Sequence, residues 1–98
     1  MFEMDNLEFR INLAIAKGRN IIYYRERDTR ERCQYMHVIR EYRKTLVDLV
    51  KELPETDPSS KFLQSLIKVI NPKVKSEECI QTIIEMKNIF AQAGIRIV

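Results

Sequence analysis

The clearest pattern in the chain runs from Tyr35 to Leu53. Tyr35, Ile39, Tyr42, Leu46, Leu49 and Leu53 recur at a 4-3-4-3-4 spacing, and Met36, Val47 and Val50 widen the stripe. This is the periodicity of an amphipathic helix with a narrow apolar seam. The spacing predicts a main helix over 33–53, stopped ahead of Pro54, whose ring disfavours helical geometry in the residue before it. Beyond it, Glu55-Thr56-Asp57-Pro58 reads as a turn. Asp57 is placed as an N-cap and Pro58 as the first helical residue. Phe62, Leu63, Leu66, Ile67 and Ile70 then give a short helix over 58–70, ended by Asn71-Pro72. A last helix over 77–93 is predicted with Ser76 as its cap and Glu77 and Glu78 at its positive end. Ile80, Ile83, Ile84, Met86, Phe90 and Ala93 are its expected buried face, Gly94 its stop and Ile95 the apolar contact that accompanies such stops.

The first 24 residues admit two readings. Asp5-Asn6-Leu7-Glu8 has the form of a capping box, and Met4, Leu7, Ile11, Ile15 and Ile22 suit one helical face. Leu7, Phe9, Ile11, Leu13 and Ile15 also alternate strictly, as a strand would, and Ile95-Arg96-Ile97-Val98 could pair with them. Helix is the favoured reading, because the cap is present and Ala14 and Ala16 are good helix formers. Gly18 is expected to end or bend this element. The fold class is therefore all-α: a small bundle of three or four helices in a single domain over 1–98, with short terminal strands as the competing detail.

Composition agrees. Apolar residues make up 45% and charged residues 32% of the 98 residues, a globular balance. Only two Gly and three Pro are present, too few for the frequent turns of an all-β domain. No apolar run reaches the roughly 18 residues of a membrane span, so no membrane partner is expected. Cys33 and Cys79 have no framework spacing, and acids interrupt the N-terminus where a signal peptide would be apolar. Reduced thiols and an intracellular location, cytoplasmic or nuclear, are the expectation.

Little in the chain suggests catalysis. Cys33, His37 and Glu41 would share one helical face, but zinc needs a fourth ligand and usually takes close-spaced pairs. A Cys/His nucleophile would need an oxyanion-stabilising turn, and no glycine-rich loop accompanies this pair. Neither a Walker nor a dinucleotide-binding glycine pattern occurs. The expectation is a protein that is not an enzyme and has no metal and no cofactor.

Charge is distributed unevenly. Residues 1–16 carry net −2, residues 17–44 net +5, and residues 45–98 net 0. All four tyrosines lie between 23 and 42, and seven of the nine arginines between 19 and 43. The segment 25–32 has no apolar side chain and reads as a charged linker or helix segment. Arg and Tyr combine flat surfaces with several hydrogen bonds and are enriched where proteins meet. The candidate partner-binding set is Tyr23, Tyr24, Arg25, Arg27, Arg30, Arg32, Tyr35, Arg40 and Arg43. The same residue types suit phosphate contact and base stacking. The acids interspersed among the arginines, Glu26, Asp28, Glu31 and Glu41, favour a protein partner, with a small nucleic-acid-binding protein as the alternative. The apolar load on residues 2–15 exceeds what one stripe can bury, and so predicts a homo-oligomer, a dimer in the first instance.

Overall fold

The computed structural model describes the backbone of residues 3–26 and 36–97, with side chains over 6–25 and 36–97. Over these residues the protein is all-α. Four α-helices follow one another: α1 (Glu3–Glu26), α2 (Met36–Glu52), α3 (Pro58–Val69) and α4 (Cys79–Gln92), the last entered through a 3-10 turn at Ser76–Glu78. None of the described helices is long and apolar enough to cross a membrane.

Helix, not strand, is the outcome for the N-terminal segment. α1 is 24 residues long and is unbroken at Gly18. Among the described residues there is no strand, and Ile95–Ile97 has no regular structure. A helix satisfies its own backbone groups, whereas an isolated strand leaves a row of donors and acceptors that a short tail could not pair. The alternation resolves on helical geometry: Leu7, Ile11 and Ile15 turn toward the core, while Phe9 and Leu13 point outward, 63% and 57% exposed. Asp5 lies inside α1, so the predicted capping box is displaced from the helix start.

α2 runs back along α1. The Arg10 guanidinium pairs with Glu52 near the end of α2 at 2.7 Å, while Tyr42, earlier in α2, donates its hydroxyl to the Ala14 carbonyl at 2.8 Å. The predicted seam is the buried face: Ile39, Tyr42, Leu46, Leu49 and Leu53 are all core residues. α3 begins as the sequence implies, with the Asp57 carboxylate accepting from the Ser59 amide at 2.9 Å and Pro58 in the first turn. It buries Leu63 and Leu66, and Phe62 meets Phe90 of α4 edge to face at 5.3 Å.

α4 departs from expectation over part of its buried face. Ser76 opens the 3-10 turn that leads into α4. The buried face is Cys79, Thr82, Ile83, Met86 and Phe90. Ile80 and Ile84, expected inside, are 44% and 46% exposed, and Ala93 is exposed too. The end of α4 matches its sequence signal. Gly94 takes φ +77°, its amide bonds to the Ala91 carbonyl at 3.0 Å, and the Ile95 amide bonds to the Phe90 carbonyl at 2.9 Å. This is the pair of bonds of a Schellman stop, with Ile95 packed against the core as the accompanying apolar contact.

Gly18 sits where α1 passes close to α2 and α4. A Cβ on it would collide with the Tyr42 hydroxyl oxygen and lie 2.7 Å from Cζ of Phe90. Glycine is thus required here by close approach, not by a turn. Alanine at this position would gain roughly 1 kcal/mol of helix propensity, yet it must push apart two fully buried rings. We expect Gly18→Ala to destabilise the fold by about 1–3 kcal/mol in urea titration; a neutral or stabilising result would mean that the α1 contact is loose.

Tyr42 supplies a second test. Burial pushes its phenol well above the usual tyrosine range. A folded-state pKa raised above the unfolded one stabilises the native state fully below the unfolded value of about 10. That stability is lost as pH rises beyond it, at up to about 1.4 kcal/mol per pH unit. Urea titrations between about pH 9 and 11.5 should show stability falling on the alkaline side, and Tyr42→Phe should flatten that part of the profile. An unchanged slope in Tyr42→Phe would assign the alkaline loss to other groups.

Candidate interaction surface

The nine predicted partner-binding residues divide into three groups. Arg27, Arg30, Arg32 and Tyr35 lie outside the described residues, as does Cys33. Arg40 and Arg43 are placed on α2 but are engaged within the fold. Tyr23, Tyr24 and Arg25 stand together in the last turn of α1.

Arg40 donates from Nε at 3.0 Å and Nη2 at 2.6 Å to the Val74 carbonyl. Arg43 donates from Nε to the Ile70 carbonyl at 2.8 Å. α3 ends without a glycine, on Ile70 in extended geometry, so carbonyls there need donors from elsewhere. α2 provides them, three residues apart on one side of the helix. These two arginines therefore hold the 70–74 connection, over which Val74 inserts as a fully buried plug. Each thus spends part of its guanidinium on an internal carbonyl, which leaves it less to offer an external ligand. Tyr42, the fourth tyrosine of the Arg/Tyr segment, is likewise internal.

What remains at the surface is built by α1. Tyr23 and Tyr24 stack edge to face with ring centres 5.3 Å apart. Tyr24 is 59% exposed. The two rings, with Ala16, Arg19, Asn20 and Ile97, line a notch of about 300 Å³. Arg19 and Tyr23 are four residues apart, as are Ala16 and Asn20, so one side of the helix carries the whole set except Ile97. The Arg19 Nε is buried and has no hydrogen-bond partner among the described residues. A buried donor in this state has a standing preference for an acceptor. Arg19, Asn20 and Ile97 were outside the predicted set. The first two could have been found by drawing the Tyr23 neighbourhood at helical spacing; Ile97 could not, because its approach depends on how the tail leaves Gly94.

A second hollow, about 550 Å³, opens between the first half of α1 and the α2–α3 turn, floored by Leu7, Ile11, Leu53 and Pro54. The carboxylates at its edge are Glu8 and Asp57, and Asp57 is spent on capping α3. No three His, Cys, Asp or Glu side chains among the described residues converge as metal ligands. His37 and Glu41 are exposed on α2, Glu41 in a surface pair with Lys44, and Cys79 is buried in α4. Comparison with family models, curated proteins and solved structures gives no match.

The separation of roles is measurable. Arg40→Gln and Arg43→Gln should each destabilise the fold by about 1–2 kcal/mol, because each removes charge-assisted bonds to part-buried carbonyls. Tyr24→Ala should stay within about 0.5 kcal/mol of the parent. Equal losses at all three positions would show that the surface and clamp roles are not distinct.

Proposed function

We propose that this chain is a non-catalytic interaction module, an adaptor, assembly subunit or inhibitor, and that the C-terminal half of α1 receives a protein partner. The observation that carries the reading is the exposed Tyr24 ring, stacked edge to face on Tyr23 at the rim of the notch that the half-buried Arg19 lines. Such a place suits an acceptor side chain flanked by apolar surface. An aromatic and an arginine with little entropy left to lose are the usual anchors of protein contacts. The helical segments pack as a small bundle, which presents α1 as a rigid rod for this purpose.

The alternative is a nucleic acid held by the basic segment 17–44. It is the weaker reading, because Arg40 and Arg43 are committed to internal carbonyls. Besides Arg10, which pairs with Glu52, the described part of α1 carries three cations, Lys17, Arg19 and Arg25, exposed or half-buried. Phosphate tracking generally recruits a larger number.

Two sets of substitutions separate the readings. One neutralises arginines (Arg19, Arg25, Arg27, Arg30 and Arg32 to Gln), the other neutralises acids (Glu26, Asp28 and Glu31 to Gln). Binding is measured against proteins recovered from native lysate and against a labelled single-stranded oligonucleotide, at about 50 and 300 mM salt. A protein interface that reads both signs should lose its partner in either set, and Tyr24→Ala should weaken it. Nucleic-acid binding should vanish in the first set, tighten in the second and fall steeply with salt. Retention of every interaction in both sets and in Tyr24→Ala would dispose of the proposal.

A further inference from the structure

α1 is apolar on two sides. Its inner side is buried against α2 and α4 through Ile11, Ala14, Ile21 and Ile22. Its outer side repeats Asn6, Phe9, Leu13, Ala16 and Asn20, all exposed, at a 3-4-3-4 spacing. This is a second seam, of the kind that packs against another helix. No other described helix covers it.

The order of charges in the sequence of α1 says what does. Between residues 3 and 9 the sequence has Glu3, Asp5 and Glu8 and no cation; between 16 and 25 it has Lys17, Arg19 and Arg25 and no acid. Each half of the helix is complementary to the other half of an identical helix laid antiparallel. The match holds in detail as well as in sum. At 100° per residue, Glu8 and Arg19 lie within about 20° of each other on one flank of α1, past a right angle from the centre of the seam, so they pair by reaching around that flank. A two-fold axis perpendicular to paired antiparallel helices sets like edges against each other. With the axis at Leu13, Glu8 of each copy comes within one residue of the level of Arg19 of the other. The opposite edge brings Lys17 toward Arg10, but Arg10 is already paired with Glu52, and Asp48 adds to the negative field there, so that corner carries net negative charge. Along the seam, Leu13 meets its own symmetry mate, Phe9 falls over the small Ala16, and Asn6 approaches Asn20.

We infer that a second copy of this chain docks on the outer face of α1, antiparallel, with the two-fold axis near Leu13 and with Glu8 supplying the acceptor for Arg19. The inference rests on the reading that α1 is the chain's interaction surface, and it names one occupant. The contact is modest. A helix of 24 residues is about 36 Å long, and a strip of that length about 10 Å wide falls short of the ~800 Å² per partner of a standard interface. Association is therefore weak and reversible, in the range of tens to hundreds of micromolar on the order of such small contacts.

Sedimentation equilibrium from about 10 μM to 1 mM tests it, with circular dichroism to verify that each variant is folded. The parent should pass from monomer to dimer in this range. Leu13→Asp, at an exposed position, should remain monomeric. Glu8→Arg and Arg19→Glu should each weaken dimerisation about tenfold. Mixed one to one, these two variants should form a heterodimer at least as tightly as the parent homodimer, since every reversed charge then faces its opposite. The double variant in one chain should recover the parent's affinity. A parent monomeric at 1 mM, or charge variants that fail to rescue each other, overturns the inference. Capture of other proteins through Tyr24 can be retained in Leu13→Asp, so failure of self-docking is distinguishable from failure of the broader reading.

Discussion

The close approach of α1 to Tyr42 and Phe90, made at Gly18, is the constraint on which the arrangement depends. Two rings, both fully buried, fill the space that a side chain at position 18 would need. Phe90 in turn meets Phe62, so the contact reaches α3 as well. The Tyr42 hydroxyl enters the core because one acceptor, the Ala14 carbonyl, lies one turn before the glycine. Position along α1 is thereby fixed twice, by shape at residue 18 and by a hydrogen bond at residue 14.

Much of this was legible in the sequence, and the failures have physical causes. The seam of α2, the Asp57-Pro58 start of α3 and the Gly94 stop of α4 are local signals, in which residue type and backbone geometry determine each other. The strand alternative for residues 7–15 arose because a helix that is apolar on two sides contains both periods, and only its neighbours decide which one counts. Gly18 reads as a breaker in isolation and is in fact a packing residue. The face of α4 was misread in part: Ile83, Met86 and Phe90 are buried as expected, but Cys79 and Thr82 take the inner places that the more apolar Ile80 and Ile84 were expected to fill, a choice that apolar content alone does not encode.

The candidate surface was legible in part. Tyr24 is exposed, and Tyr23 and Arg25 are half-buried beside it in the last turn of α1. Arg40 and Arg43 have the same chemistry but serve the fold, since α3 lacks the glycine that would let its end satisfy itself. Nothing in their immediate sequence distinguishes an arginine that clamps a carbonyl from one that awaits a ligand. The distinction lies some 30 residues downstream, at the 70–74 connection.

The contact between Gly18 and Phe90 also has a bearing on how the chain finds its shape. α2 and α3 are neighbours in sequence, joined by a short turn, and can meet after closing a small loop. The union of α1 with α4 joins residues from opposite ends of the sequence, and the entropy lost on closing a loop grows with its length. An early α2–α3 hairpin offers α1 only half of its eventual seat, because Phe90 arrives with α4. Until both rings are in place, the glycine in α1 is simply a weak point in a helix. Its disadvantage turns into a fit only where α2 and α4 are both in place, which makes the longest of the described helices dependent on the rest.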